Sequence, residues 1–177
     1  MMFSRIVVPG RFQPPHLGHM SLINQALKVS NEVIVVVGSA QESYTIDNPL
    51  TAGERIEALF IMLEAEMSKR YRERIIIVPV PDIAMNKVWV RYLAMLLPKF
   101  DAVMSGNELV LMLFEDSGYK ALRPKFYRRD ECSGTIIRRK VIEGGDWRSC
   151  VHPSVAEYLD SIGFEERIRR LVGSSPR

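Results

Sequence analysis

Two kinds of apolar spacing alternate along the chain. The runs Ile6-Val7-Val8, Val33 to Val37 and RIIIVPV at 74–80 are short, branched and continuous. Such runs mark strands buried on both faces of a parallel sheet. Between them apolar residues recur every three or four positions, as at Met20, Ile23 and Leu27, the spacing of an amphipathic helix. The pattern predicts a strand, helix and strand over 5–37, then a long helix from Thr51-Ala52-Gly53-Glu54, which fits a capping box, to about Lys69. A third strand follows at 74–80, a helix from about Asn86 to Leu97 stopped by Pro98, a short strand from Asp101 to Met104, and a helix to about Glu115. A weak last strand near Phe126-Tyr127 precedes a helix from about Thr135 to Ile142, ended by Gly144-Gly145. Residues 153–172 read as a small helical tail broken near Gly163, and Ser174 to Arg177 are expected to fray. Buried strands alternating with helices of this length imply an α/β fold, a doubly wound parallel sheet with ligands at the carboxyl ends of its strands.

Composition narrows the function classes. With 177 residues, 47% apolar and 25% charged, the chain suits one globular domain with a sizeable core. A net charge of +3 is too small to argue for nucleic acid. The excess is local: residues 119–148 carry nine Lys/Arg against four Asp/Glu. That block has no aromatic platform for base stacking beyond Phe126 and Tyr127. Cys132 and Cys150 form no CxxC pair, and with no secretion signal they are expected as reduced thiols, Cys132 as a small packed residue. No segment approaches membrane-spanning length, so a soluble cytoplasmic protein is expected, with no nucleic-acid or membrane partner. No His, Cys and carboxylate cluster has the spacing of a protein-only metal site.

The chemistry concentrates in residues 5–29, RIVVPGRFQPPHLGHMSLINQALKV. His16 and His19 lie three apart where the helix begins, on one face of its first turn. Gly10 and Gly18 leave room for an anion to approach free backbone N–H groups. This is an anion site with two imidazoles and no nucleophilic Ser or Cys or carboxylate pair beside it. It suits a reaction whose attacking group is already ionised, as a phosphate is, so that catalysis is positioning and charge stabilisation. The plainer alternative makes His16 a helix cap and His19 a surface residue. Further on, Ser133 and Thr135 open a helix and Arg138 lies one turn along, where it can fork onto phosphates. The alternative there is a Ser/Thr cap with a solvated Arg-Arg-Lys face.

GRFQPPHLGH, with its HxGH core, resembles the signature of the nucleotidyltransferases that share an α/β nucleotide fold with class I aminoacyl-tRNA synthetases. Ser133-Gly134-Thr135-Ile136-Ile137-Arg138 resembles their second phosphate motif, SxTxxR; Gly134 stands where some members have another small polar residue. With GSAQESYTIDNPLTAGER, PDIAMNKVW and SGN, the likeness to archaeal-type nicotinamide-nucleotide adenylyltransferases covers nearly the whole chain. It implies a Rossmann-like nucleotidyltransferase domain over 1–150, with 151–177 a helical extension of the same domain. The implied activity is adenylyl transfer from ATP to nicotinamide mononucleotide, giving NAD⁺ and pyrophosphate, with Mg²⁺ bound through substrate phosphates. His16, His19, Arg138 and Arg11 would be catalytic. Gly10, Arg11, Phe12, His16, Gly18, His19, Gly106, Asn107, Ser133, Thr135 and Arg138 would bind ATP. Gly38, Ser39, Asp82, Ile83, Asn86 and Trp89 would bind the nicotinamide nucleotide, Trp89 stacking on its ring. Asp47 departs from relatives that carry a basic residue in a loop near the phosphates. A homo-oligomer, possibly a hexamer, is implied as well. The rival functions keep the phosphate motifs and change the acceptor to phosphopantetheine, or to glycerol phosphate with CTP, or drop catalysis for nucleotide binding alone.

Overall fold

The computed structural model describes residues 2–174, so the expectation of fraying at 175–177 lies outside the described residues. Five parallel strands form the sheet: β1 (Phe3–Gly10), β2 (Ser30–Val37), β3 (Ile75–Pro79), β4 (Ala102–Met104) and β5 (Lys120–Leu122). Their order is β3-β2-β1-β4-β5. The continuous β-branched runs are explained by what lies above and below them. Val33, Val35 and Val37 join the core on one face, Ile34 and Val36 the core on the other, and all five are at most 1% exposed. Each such side chain contributes about 1.5–3 kcal/mol by leaving water. A charge at Val35 would therefore break the sheet at its centre.

The helices divide between the two faces. α1 (Leu17–Val29), α2 (Ala52–Glu66), α6 (Gly134–Glu143), α7 (Pro153–Ser161) and α8 (Phe164–Ser174) send Ile23, Leu59, Ile137, Leu159 and Phe164 into one core. α4 (Asn86–Leu96) and α5 (Glu108–Asp116) send Val90, Leu93, Leu111 and Phe114 into the other. The chain leaves β1 for the first face and the neighbouring β4 for the second, which opens a crevice between their carboxyl ends. The helices after residue 150 pack into the same core as α1 and α2.

Three local expectations differ from what is seen. The long helix stops at Glu66, where Met67 and Ser68 turn extended, and only a one-turn α3 (Lys69–Arg72) follows. The last strand lies at Lys120–Leu122, not near Phe126-Tyr127. Pro124 cannot donate to the ladder, and Lys125 pairs instead with the Gln25 amide, donating to Oε1 at 2.8 Å and accepting from Nε2 at 2.9 Å. Cys132 and Cys150 are not free thiols but a disulfide, their Cα atoms 5.1 Å apart. Their wide spacing in sequence hides a contact that only folding creates, between the loop before α6 and the 3₁₀ turn Arg148–Cys150.

Candidate active site

α1 begins with two histidines in a reciprocal cap. His16 is the N-cap residue, and its Nδ1 accepts from the Gly18 N–H at 3.1 Å, while the His19 Nδ1 accepts from the His16 N–H at 3.3 Å. With both Nδ1 atoms accepting, a neutral ring carries its proton on Nε2. Burial holds the His16 imidazole down at about 4, and burial together with the neighbouring His16 holds His19 well below the usual range. Both rings are therefore neutral Nε2–H donors at pH 7. Their centroids are 3.7 Å apart, and the Phe12 ring lies 4.4 Å from His19. A Cβ at Gly18 would come within 2.9 Å of the His16 ring, so glycine is what permits this pairing. The cap that the sequence offers as the plainer reading is present, and His19, which that reading puts on the surface, is the other half of the capping box.

Across the crevice Ser133 caps α6, its Oγ accepting from the Ile136 N–H at 3.4 Å. Arg138 is 4% exposed. It donates to the Gln13 carbonyl at 2.9 Å, to Asp47 Oδ1 at 3.2 Å and to Thr135 Oγ1 at 3.5 Å. Burial, and after it the repulsion of Arg11, lowers its pKa. A Cβ on Gly134 would meet the Gln13 carbonyl oxygen at 3.2 Å, a tight approach that glycine avoids.

Two cavities open at the strand ends. One, of about 230 Å³, is lined by His16, Gly18, His19, Gly106, Asn107, Ser133, Phe126 and Tyr127 among others. The second, of about 350 Å³, is lined by Gly10, Arg11, Gly38, Ser39, Asp82, Trp89 and Val110 among others. Pro9, Ser105 and Asn107 line both. Trp89 is half-buried, its ring edge-on to Phe114 at 5.9 Å while it walls the second cavity.

A cytidylyltransferase-like family model matches residues 7–140. A nicotinamide-nucleotide adenylyltransferase of Aeropyrum pernix is 64% identical over 168 residues, covering 94% of this chain and 96% of that one. The chain belongs to the nicotinamide-nucleotide adenylyltransferases. A Methanococcus aeolicus protein of the same name is 44% identical, with 94% of each chain covered. The fold is also that of a bifunctional NMN adenylyltransferase/ADP ribose pyrophosphatase from Francisella tularensis, solved with AMP and a manganese ion. Its TM-score is 0.75 at 20% identity, covering 97% of this chain and 52% of that one.

Within this adenylyltransferase framework most residues singled out from the sequence come together, but not all in the way expected. Phe12 is buried beneath His19 and lines neither cavity. Thr135, exposed at the start of α6, and Arg138, buried, line neither cavity, and Gly10 and Arg11, expected at ATP, line the second. Asn86, exposed, and Ile83, half-buried, lie near the start of α4 and line neither cavity. The Asp82 carboxylate is engaged in the protein itself, accepting from the Ser39 N–H at 3.1 Å. Asn107 caps α5, its Oδ1 accepting from the Leu109 N–H at 3.0 Å, and still faces both cavities.

Two groups were missed. Phe126 and Tyr127 wall the first cavity, and a Cβ on Gly106 would come within 2.4 Å of the Phe126 ring. An aromatic pair just ahead of the second phosphate motif was the available signal. Arg55, fully buried, donates to the carbonyls of Arg11, Gly38, Ser39 and Thr51 at 2.7 to 3.2 Å. Burial brings its pKa down to about 10, so it stays charged and ties the first loop to the end of β2. Its signals were an arginine within an otherwise apolar helix face and its place as the last residue of GSAQESYTIDNPLTAGER.

Proposed function

We propose that this protein joins the adenylyl group of ATP to nicotinamide mononucleotide, forming NAD⁺ and pyrophosphate. The observation that carries this is the pair of cavities sharing Pro9, Ser105 and Asn107, one with the histidine pair and the other with Arg11 and Trp89. ATP fits the first and the nicotinamide nucleotide the second, with the two phosphate ends meeting beside β1. An oxygen of the acceptor phosphate attacks the α-phosphorus, the bond from that phosphorus to the α,β-bridging oxygen breaks, and pyrophosphate leaves with that oxygen. The attacking phosphate is ionised at neutral pH, so no general base is needed. The Nε2–H groups of His16 and His19 donate to oxygens of the α-phosphate as charge builds there, Arg11 in the second cavity holds the acceptor phosphate, and Arg138 and the start of α6 hold the departing pyrophosphate.

Mg²⁺ is the ion expected with the nucleotide. On this reading the ion is carried in on the ATP phosphates; among the described residues no group of three or more His, Cys, Asp or Glu could hold a metal ion. Bound there it would neutralise phosphate charge and polarise the reacting phosphoryl group. The same reading takes 151–177 as part of the one domain, as the packing of α7 and α8 supports, and the protein as a cytoplasmic homo-oligomer. Among the described residues no helix is long and apolar enough to cross a membrane.

The test is chromatographic product analysis with ATP, Mg²⁺ and either nicotinamide mononucleotide, nicotinate mononucleotide or phosphopantetheine. NAD⁺ with equimolar pyrophosphate is expected. Turnover of phosphopantetheine alone would overturn the acceptor assignment, and no turnover would overturn the reaction.

A further inference from the structure

The loop over 40–50 brings one carboxylate to the proposed phosphate site. Asp47 sits in a turn in which the Asn48 N–H donates to Thr45 Oγ1 at 2.9 Å and the Thr45 N–H to the Asn48 carbonyl at 3.2 Å. On one side of that turn Tyr44 packs under the Arg167 guanidinium at 4.6 Å. On the other, Leu50 is clamped by the buried Gln13 amide through bonds of 2.8 and 2.9 Å. The turn therefore presents Asp47 from a fixed base. Its side chain is 76% exposed while that of its partner Arg138 is 5% exposed. The exposed aspartate can swing into water and be solvated there, but the buried arginine it leaves then needs another anion in its place. Arg138 also feels Arg11, and Asp47 is the carboxylate that offsets this repulsion.

We propose that Asp47 is a stand-in for a phosphate group and thereby a specificity residue for the polyphosphate end of the nucleotide. In the nucleotide-free protein its carboxylate takes the Arg138 Nη2 while Nη1 stays on the Gln13 carbonyl; the polyphosphate end takes that same Nη2, and binding exchanges one anion for the other. A nucleotide with only an α-phosphate leaves the Asp47–Arg138 pair intact. The exchange costs polyphosphates affinity, and the returning carboxylate assists departure of pyrophosphate. The proposal rests on the assignment of Arg138 to the phosphates made above.

Calorimetric titration of wild type and Asp47→Asn with pyrophosphate, ATP and AMP, each without and with Mg²⁺, tests it. Water screens the pair on its Asp47 side, so the expected gain is about two- to five-fold tighter binding of pyrophosphate and ATP, with AMP unchanged. In an Arg138→Ala background the same substitution should give no gain, since the pair it relieves is gone. Unchanged or weaker polyphosphate binding in Asp47→Asn would overturn the proposal, as would an equal gain for AMP or a gain that survives without Arg138. If wild type binds neither ATP nor pyrophosphate, the adenylyltransferase assignment fails with it, which separates the two failures.

Discussion

His19→Ala is the perturbation in which the geometry makes its sharpest demand. The His19 Nδ1 is committed to the His16 N–H at 3.3 Å and its ring is held between His16 and Phe12, with centroids 3.7 and 4.4 Å away. The Nε2–H is thus aimed before substrate arrives, and an aimed donor of this kind is worth about 3–4 kcal/mol at a developing oxyanion. Turnover in Mg²⁺ with saturating ATP and nicotinamide mononucleotide should fall by about 10²–10³-fold. Because the donor acts mainly in the transition state, kcat and kcat/KM should fall together while KM changes little. The same substitution removes half of a capping box, about 1 kcal/mol of stability, so the melting temperature should drop by about 2–4 °C. The small thermal change against the large kinetic one separates chemistry from structure. Since the imidazoles are neutral, wild-type turnover should also stay level from pH 6.5 to 8.5. A kcat within tenfold of wild type in His19→Ala, or a wild-type rate that declines as an ordinary imidazolium deprotonates, would refute the neutral-donor mechanism.

Three further outcomes are expected. Trp89→Ala should raise KM for nicotinamide mononucleotide about tenfold through the lost ring face, leaving KM for ATP alone; an unchanged acceptor KM would make Trp89 a core residue only. The depressed pKa of His16, about 4 against 6.5 in the unfolded chain, means the unfolded state takes up protons first as pH falls. Stability is then complete above about pH 7 and declines from about 6.5 downward, by up to about 1.4 kcal/mol per pH unit for this one group, with His19 adding in the same direction. Urea midpoints at pH 7.5, 6 and 5 measure it, and His16→Asn, which keeps a capping side chain, should flatten the slope; a slope untouched by that change would assign it to other groups. Finally, the Cys132–Cys150 bridge closes a loop of sequence separation 18, a constraint worth about 3 kcal/mol. Cys132→Ser with Cys150→Ser should lower the melting temperature by about 6–12 °C, and a change under 2 °C would show that the bridge adds no stability.

What could be read before folding, and what could not, follows from the range of the interactions. β2 was legible because its signal is local: five branched residues in a row need cover on both faces, and α1 and α4 supply it. The histidine motif was legible because a helix start, a three-residue spacing and an intervening glycine act within one turn. The disulfide, the Gln25 clamp on Lys125 and the Asp47–Arg138 pair span 18, 100 and 91 positions. No local periodicity encodes contacts of that range. Arg55 shows the same limit from inside a helix. Its position on the buried face of α2 would suit an apolar residue by spacing alone, and arginine is there because three carbonyls from other loops, those of Arg11, Gly38 and Ser39, converge on it together with that of its own helix cap, Thr51. Those loops carry Arg11, Gly38 and Ser39, the residues the resemblance assigns to substrates. The buried guanidinium thus joins two stretches of sequence: Arg55, the last residue of GSAQESYTIDNPLTAGER, holds the loop after β1 in register with the start of its own stretch.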